Sequence, residues 1–167
     1  MSWIYDAHIH LSDPEYKSDI DMILNYMDLL KIKACCVSMD IETSNETMAL
    51  YEKSKNVLPF IGIHPEMAQK SSEPVYELIE KNNEIISGIG EIGLDRTYIN
   101  SEDEWEIQKN VFSKQLSLAE NFNKPVSIHS RKTLSDIFAL GSIIAVLSII
   151  SFLLKICLLY TSPSPRD

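Results

Sequence analysis

A chain of 167 residues with 45% apolar and 23% charged residues suits one globular domain and excludes a wholly disordered polypeptide. Its formal charge of −9 excludes nucleic-acid binding through a broad basic face, which depends on lysine and arginine displacing phosphate counterions. Any phosphate partner would need bound dications as its local source of positive charge.

The first strand-like run, Trp3 to His8, leads into Asp6-Ala7-His8-Ile9-His10. Side chains two apart in a strand share a face, so His8 and His10 can grip one metal ion; the alternative is a pair of ordinary, partly buried histidines. Ser12-Asp13-Pro14 breaks the chain immediately afterwards and places the pair at a strand-to-loop rim. Ile20, Ile23, Met27 and Leu30 follow at helical spacing, with Ser18 and Asp21 as a cap pair. A second strand is expected over Lys33 to Val37, with Cys35 and Cys36 as buried filling. The third, Val57 to Ile63, runs into His64-Pro65, where His64 either contacts a substrate phosphate or caps the loop.

The fourth run, Ile85 to Ile92, carries Glu91 inside Gly88-Ile89-Gly90-Glu91-Ile92-Gly93. A carboxylate in an apolar strand is costly unless it is paired or bound to a cation, and its two oxygens can bridge two ions; the alternative is a solvated glutamate at a loop start. Asp95, just beyond, is expected to hold the loop rather than bind metal. Ser101 and Glu104 form a capping box for a helix whose face carries Trp105, Phe112, Leu116 and Ala119, until Asn123-Lys124-Pro125 ends it. The fifth strand, Pro125 to His129, offers His129 to the same crevice. Arg131 beyond it is suited either to a phosphate or to a surface salt bridge.

From Ile137 to Leu154 the chain carries no charge, a length that nominally qualifies as a membrane span, yet no basic cluster flanks it and no membrane association is expected. Residues 137–156 thus read as an apolar segment of frame-shifted, chimeric or membrane-like origin. Cys157–Asp167 resembles translated sequencing-adapter DNA, a tail outside the fold. Three cysteines, Cys35, Cys36 and Cys157, form no spaced disulfide framework, and the N-terminus lacks a basic start followed by an apolar run. Both point to a reducing cytoplasm.

Short strands alternating with amphipathic helices predict an α/β fold around a parallel sheet over residues 1–136. The four motifs Asp6-x-His8-x-His10, Gly62-Ile63-His64-Pro65, Gly90-Glu91-Ile92-Gly93-Leu94-Asp95 and Pro125-Val126-Ser127-Ile128-His129-Ser130-Arg131 occur in the order that resembles the TatD family of metal-dependent hydrolases. The resemblance implies an incomplete TIM (β/α)8 barrel with about five of eight β/α units, and deoxyribonuclease activity on a phosphodiester (DNA) substrate. It implies two divalent cations (Mg, Mn or Zn): His8 and His10 on one, Glu91 bridging both at the catalytic centre, and His129 on the second, with His64 and Arg131 toward substrate. The family pattern also asks for a further histidine after the next strand and an aspartate near the last; neither is found, so the chain as it stands is expected to be inactive. Because five of eight units leave two unpaired barrel edges, it is also expected to be poorly soluble. Other readings are a different amidohydrolase-like or phosphoesterase barrel, or a non-catalytic, membrane-tethered metal-binding protein.

Overall fold

The computed structural model describes residues 2–145 and 156–157. Five strand–helix units follow one another: β1 (Ile4–Ile9), α1 (Ile20–Leu29), β2 (Ile32–Val37), α2 (Ile41–Lys53), β3 (Val57–Ile61), α3 (Glu73–Lys81), β4 (Gly88–Asp95), α4 (Glu102–Asn121), β5 (Val126–Arg131) and α5 (Leu134–Ala145), with a short β6 (Ile156–Cys157) after them. Every neighbouring pair is parallel and the sheet order is the chain order, as successive crossovers of one hand require. This is an incomplete TIM barrel.

The sheet is strongly curled. In a flat sheet β1 and β5, four steps apart, would be separated by about 19 Å at roughly 4.8 Å per step. Yet Nδ1 of His8 on β1 lies 3.1 Å from Oγ of Ser127 on β5. Curling brings the C-terminal ends of the strands around one interior space, the place where barrel enzymes gather their chemistry.

Helices cover the outside. β4 is buried at all eight positions, as a strand with side chains packed on both faces must be. Ile89, Ile92 and Leu94 share a core with Ile61 of β3, Ile79 of α3, Phe112 and Leu116 of α4, and Val126 and Ile128 of β5. A second cluster joins Leu24 and Met27 of α1 to Ala34 and Cys36 of β2 and Leu50 of α2. The expected stripe of α4 is core: Trp105, Phe112, Leu116 and Ala119 are each at most 2% exposed.

Boundaries differ from the sequence expectation where local hydrogen bonding decides them. β4 starts at Gly88 and runs three residues beyond Ile92, because its register with β5 continues through Gly93↔His129 to Asp95↔Arg131. β3 stops at Ile61; beyond it, a glutamine of α4 takes the backbone partners of Ile63. The cap of α1 is also displaced. Asp19 is the N-cap, without a side-chain cap bond; Ser18 donates to its carboxylate, and Asp21 pairs with Lys53 of α2 at 3.0 Å. Of the Ser101/Glu104 box, half forms: Ser101 Oγ accepts from the Glu104 N–H, whereas the Glu104 carboxylate accepts from the Asn100 N–H.

The apolar segment begins inside α5, which crosses residue 136 without a break. Its remainder, apart from Ile156, and the tail beyond Cys157 lie outside the described residues. Among the described residues no helix is long and apolar enough to cross a membrane.

Candidate metal centre

Short 3-10 turns follow β1, β3 and β4, and each is held by a side chain at its start. Asp13 accepts from the Glu15 N–H, His64 Nδ1 from the Glu66 N–H at 3.2 Å, and Asp95 from the Thr97 N–H. Such caps satisfy backbone donors that the turn leaves open, and they fix how the chain leaves each strand at the rim. Two buried glutamines of α4, two helical turns apart, reinforce two of these exits. Gln108 accepts from the Asp95 N–H at 2.8 Å and donates to the carbonyls of Pro65 and Asp95. Gln115 accepts from the Ile63 N–H at 2.7 Å and donates to the Ile63 carbonyl.

Within this frame Glu91, 5% exposed, stands between imidazoles from three strand ends. Its Oε2 lies 3.5 Å from Nε2 of His8 and 3.3 Å from Nε2 of His10, and those two nitrogens are 3.3 Å apart. Its Oε1 lies 3.2 Å from Nδ1 of His129. The two carboxylate oxygens thus serve two different sets of nitrogens. The ring of His64 packs edge-on against that of His129, with centroids 4.4 Å apart. The chain has four histidines, spread from position 8 to position 129, and all four meet around this glutamate.

The donor set fits a small dication. Donors at about 2.0–2.1 Å from a tetrahedral ion stand about 3.3–3.4 Å from one another, which is the spacing of His8, His10 and Glu91. Two groups of donors within 4.8 Å of one another share the glutamate, His8 with His10 and Glu91, and His64 with Glu91 and His129.

Electrostatics agree. Burial alone would raise the Glu91 carboxyl, but hydrogen bonds with His10 and His129 outweigh it and hold it well below the ordinary carboxylate range, so the anion persists inside the protein. Burial lowers His8 despite the attraction of Glu91 and brings His64 down to about 4, leaving neutral rings with lone pairs at neutral pH. Burial also opposes charge on His129, but its hydrogen bonds to Glu91 and Asp95 prevail and raise it.

The structure therefore brings His8, His10, His64, Glu91 and His129 into one cluster, and places Arg131, exposed, at the end of β5. Sequence reasoning missed three contributions. Asp95 holds its loop as expected, through Thr97, but it also meets Nε2 of His129 at 2.8 Å. Ser127 reaches His8, and Gln108 and Gln115 support the rim. Asp95 is four residues after Glu91 and Ser127 two before His129, and these even offsets on a strand were the available signal.

A protein-family model described as TatD related DNase matches residues 5–148. The chain belongs to the TatD family. Relatives include an uncharacterized metal-dependent hydrolase of Bacillus subtilis, YabD, 30% identical over 137 residues that make up 80% of this chain and 53% of YabD. Human deoxyribonuclease TATDN3 is 29% identical over 142 residues, 77% of this chain and 52% of its own length. Among solved structures, the TatD homolog YJJV of Escherichia coli superposes with a TM-score of 0.67 at 27% identity, covering 78% of this chain and 51% of that one. A TatD family hydrolase from Entamoeba histolytica shares the fold, with a TM-score of 0.71 at 23% identity over 87% of this chain and 55% of that one. This TatD chain spans about half the length of the relatives it matches.

Proposed function

We propose that the Glu91 cluster holds two divalent cations (Mg, Mn or Zn) and belongs to a hydrolase acting on the phosphodiester bonds of DNA. The observation that carries this reading is the convergence of all four histidines on one buried, ionised carboxylate whose oxygens face separate nitrogen sets. A buried carboxylate shared by two groups of imidazoles, His8 with His10 and His64 with His129, is a cation-binding arrangement rather than an anion-binding one. The names of the TATDN3 relatives support DNA as substrate.

His8 and His10 would hold one cation and His129 the other, with Glu91 shared between them. When bound, such cations polarise a phosphoryl group and lower the pKa of water. Asp95 orients the ring of His129 by taking its Nε2 side, leaving Nδ1 toward Glu91. His64 has another part. Its Nδ1 accepts the Glu66 N–H, so the proton of the neutral ring is on Nε2, and that nitrogen donates to an anion instead of ligating a cation. This suits contact with a non-bridging phosphate oxygen. Arg131 at the rim is suited to a flanking phosphate.

The family pattern's further histidine and aspartate are not matched in this sequence, so turnover by this chain is expected to be far below that of a site with full ligand sets. A nuclease assay on short duplex and single-stranded DNA tests the reading. Weak cleavage that needs added Mg, Mn or Zn and disappears in Glu91→Gln supports it; cleavage unaffected by chelation or by Glu91→Gln refutes it.

A further inference from the structure

Ser127 sits in β5 at 2% exposure. Between Val126 and Ile128, both in the core, an unpaired hydroxyl would carry a desolvation cost. Its partner is Nδ1 of His8 at 3.1 Å, contributed from the far end of the sheet order. The opposing strand leaves room for it: a Cβ at Gly90 would come within 2.7 Å of the Ser127 Cβ. The residue before Glu91 is thus small where the serine side chain has to stand.

The chemistry of the pair depends on where the His8 proton lies. For Nε2 to offer its lone pair, the proton must be on Nδ1, which then donates a hydrogen bond to Ser127 Oγ. With the proton on Nε2, facing Oε2 of Glu91, Nδ1 becomes an acceptor and the serine hydroxyl donates. A hydroxyl rotates to serve either case, whereas a methyl serves neither and an amide group offers each role from a different atom. We propose that Ser127 is a positioning residue for His8, holding the ring at Nδ1 in both tautomers so that Nε2 can exchange its proton for a cation without the ring turning. In that exchange the ring keeps one proton overall: water removes it from Nε2 and water supplies one at Nδ1.

The proposal rests on the reading of His8 as a metal ligand, and its test separates the two. Zinc is titrated into the chain and into Ser127→Ala, Ser127→Thr and Ser127→Val by calorimetry. The ring nitrogens of His8 are followed by 15N NMR, and amide spectra report folding. Loss of such an outer partner typically weakens metal binding about 10–100-fold. Ser127→Ala and Ser127→Val are expected to show that loss together with a broadened or mixed His8 tautomer signature, while Ser127→Thr, which keeps the hydroxyl, stays near the parent in both. Threonine and valine match in shape, so their comparison decides the matter even if the alanine variant fails to fold. Equal affinity and an unchanged His8 signature in the valine and threonine variants overturn the proposal while leaving the metal reading intact. Failure of the parent chain itself to bind zinc overturns the metal reading and the proposal with it.

Discussion

Nε2 of His129 lies 2.8 Å from Oδ2 of Asp95, so a carboxylate one strand away fixes which nitrogen of that ring faces Glu91. Metal-binding histidines typically hand their second nitrogen to such a partner, which sets the tautomer and raises basicity. Asp95→Asn tests the relationship cleanly, because the amide oxygen can still accept the Thr97 N–H that holds the turn. Metal affinity should fall about 10–100-fold with the melting curve little changed, as read by calorimetry beside circular dichroism.

Metal uptake should also be proton-linked. The hydrogen bonds of His129 to Glu91 and Asp95 raise it above the ordinary histidine value, and a ring must be deprotonated before it can ligate. Apparent affinity is therefore expected to rise with pH until His129 is neutral and then to level off. Calorimetry in buffers of different ionisation enthalpy should register proton release on binding, and Asp95→Asn should move the midpoint of the rise to lower pH.

His64 gives the metal-free protein a stability slope of known sign. The unfolded ring takes a proton near 6.5, whereas burial holds the folded ring neutral down to about 4. Between those values the unfolded state binds more protons, so stability falls as pH falls through the window, by up to about 3 kcal/mol from this residue. His8, also lowered, acts in the same sense, and His129, raised, in the opposite one. Denaturant titrations from pH 7 to 4 should show a shallower slope for His64→Gln than for the parent.

Cys36 is fully buried, and burial pushes its thiol up to about 12. Since the thiolate is the reactive form, peptide mapping after iodoacetamide at pH 8 should show Cys36 unmodified in the folded chain and modified only after denaturant is added. Rapid labelling of Cys36 in the native protein would mean that the packing of β2 is not as described.

Phe112 is 1% exposed in the main core, at the centre of the stripe by which α4 packs on β4. Phe112→Ala should cost about 3–5 kcal/mol, read as a lowered urea midpoint. It should also weaken metal binding, because the same helix carries Gln108 and Gln115, which hold the exits toward Asp95 and His64.

Much of this was legible in the sequence because the signals are local. Alternating apolar runs marked all five strands, and His-x-His, the charged residue in an apolar strand and His129 after Ile128 offered four members of the cluster as candidates, which the family resemblance then joined into one ligand set. What stayed hidden depends on contacts between distant segments. The end of β4 is set by its pairing with β5, which no window around Ile92 contains. At the start of α1 the expected Ser18–Asp21 cap does not form, and Asp21 instead meets Lys53 of another helix, a partner no local window contains. Ser127 reads as an ordinary strand serine until the curl of the sheet brings His8 beside it, and Gln108 and Gln115 read as the polar side of α4 until the ends of β3 and β4 are seen to use them as backbone partners.

The most direct test of the Glu91 centre is the location of metal in crystals of the chain grown with zinc, read from anomalous difference density on either side of the zinc edge. Two peaks are expected, one within about 2.0–2.2 Å of His8, His10 and one Glu91 oxygen, the other at that distance from His129 and the second Glu91 oxygen, and both should vanish in Glu91→Gln. Density confined to surface carboxylates, or peaks that persist at the histidines without the glutamate, would contradict a centre built on Glu91.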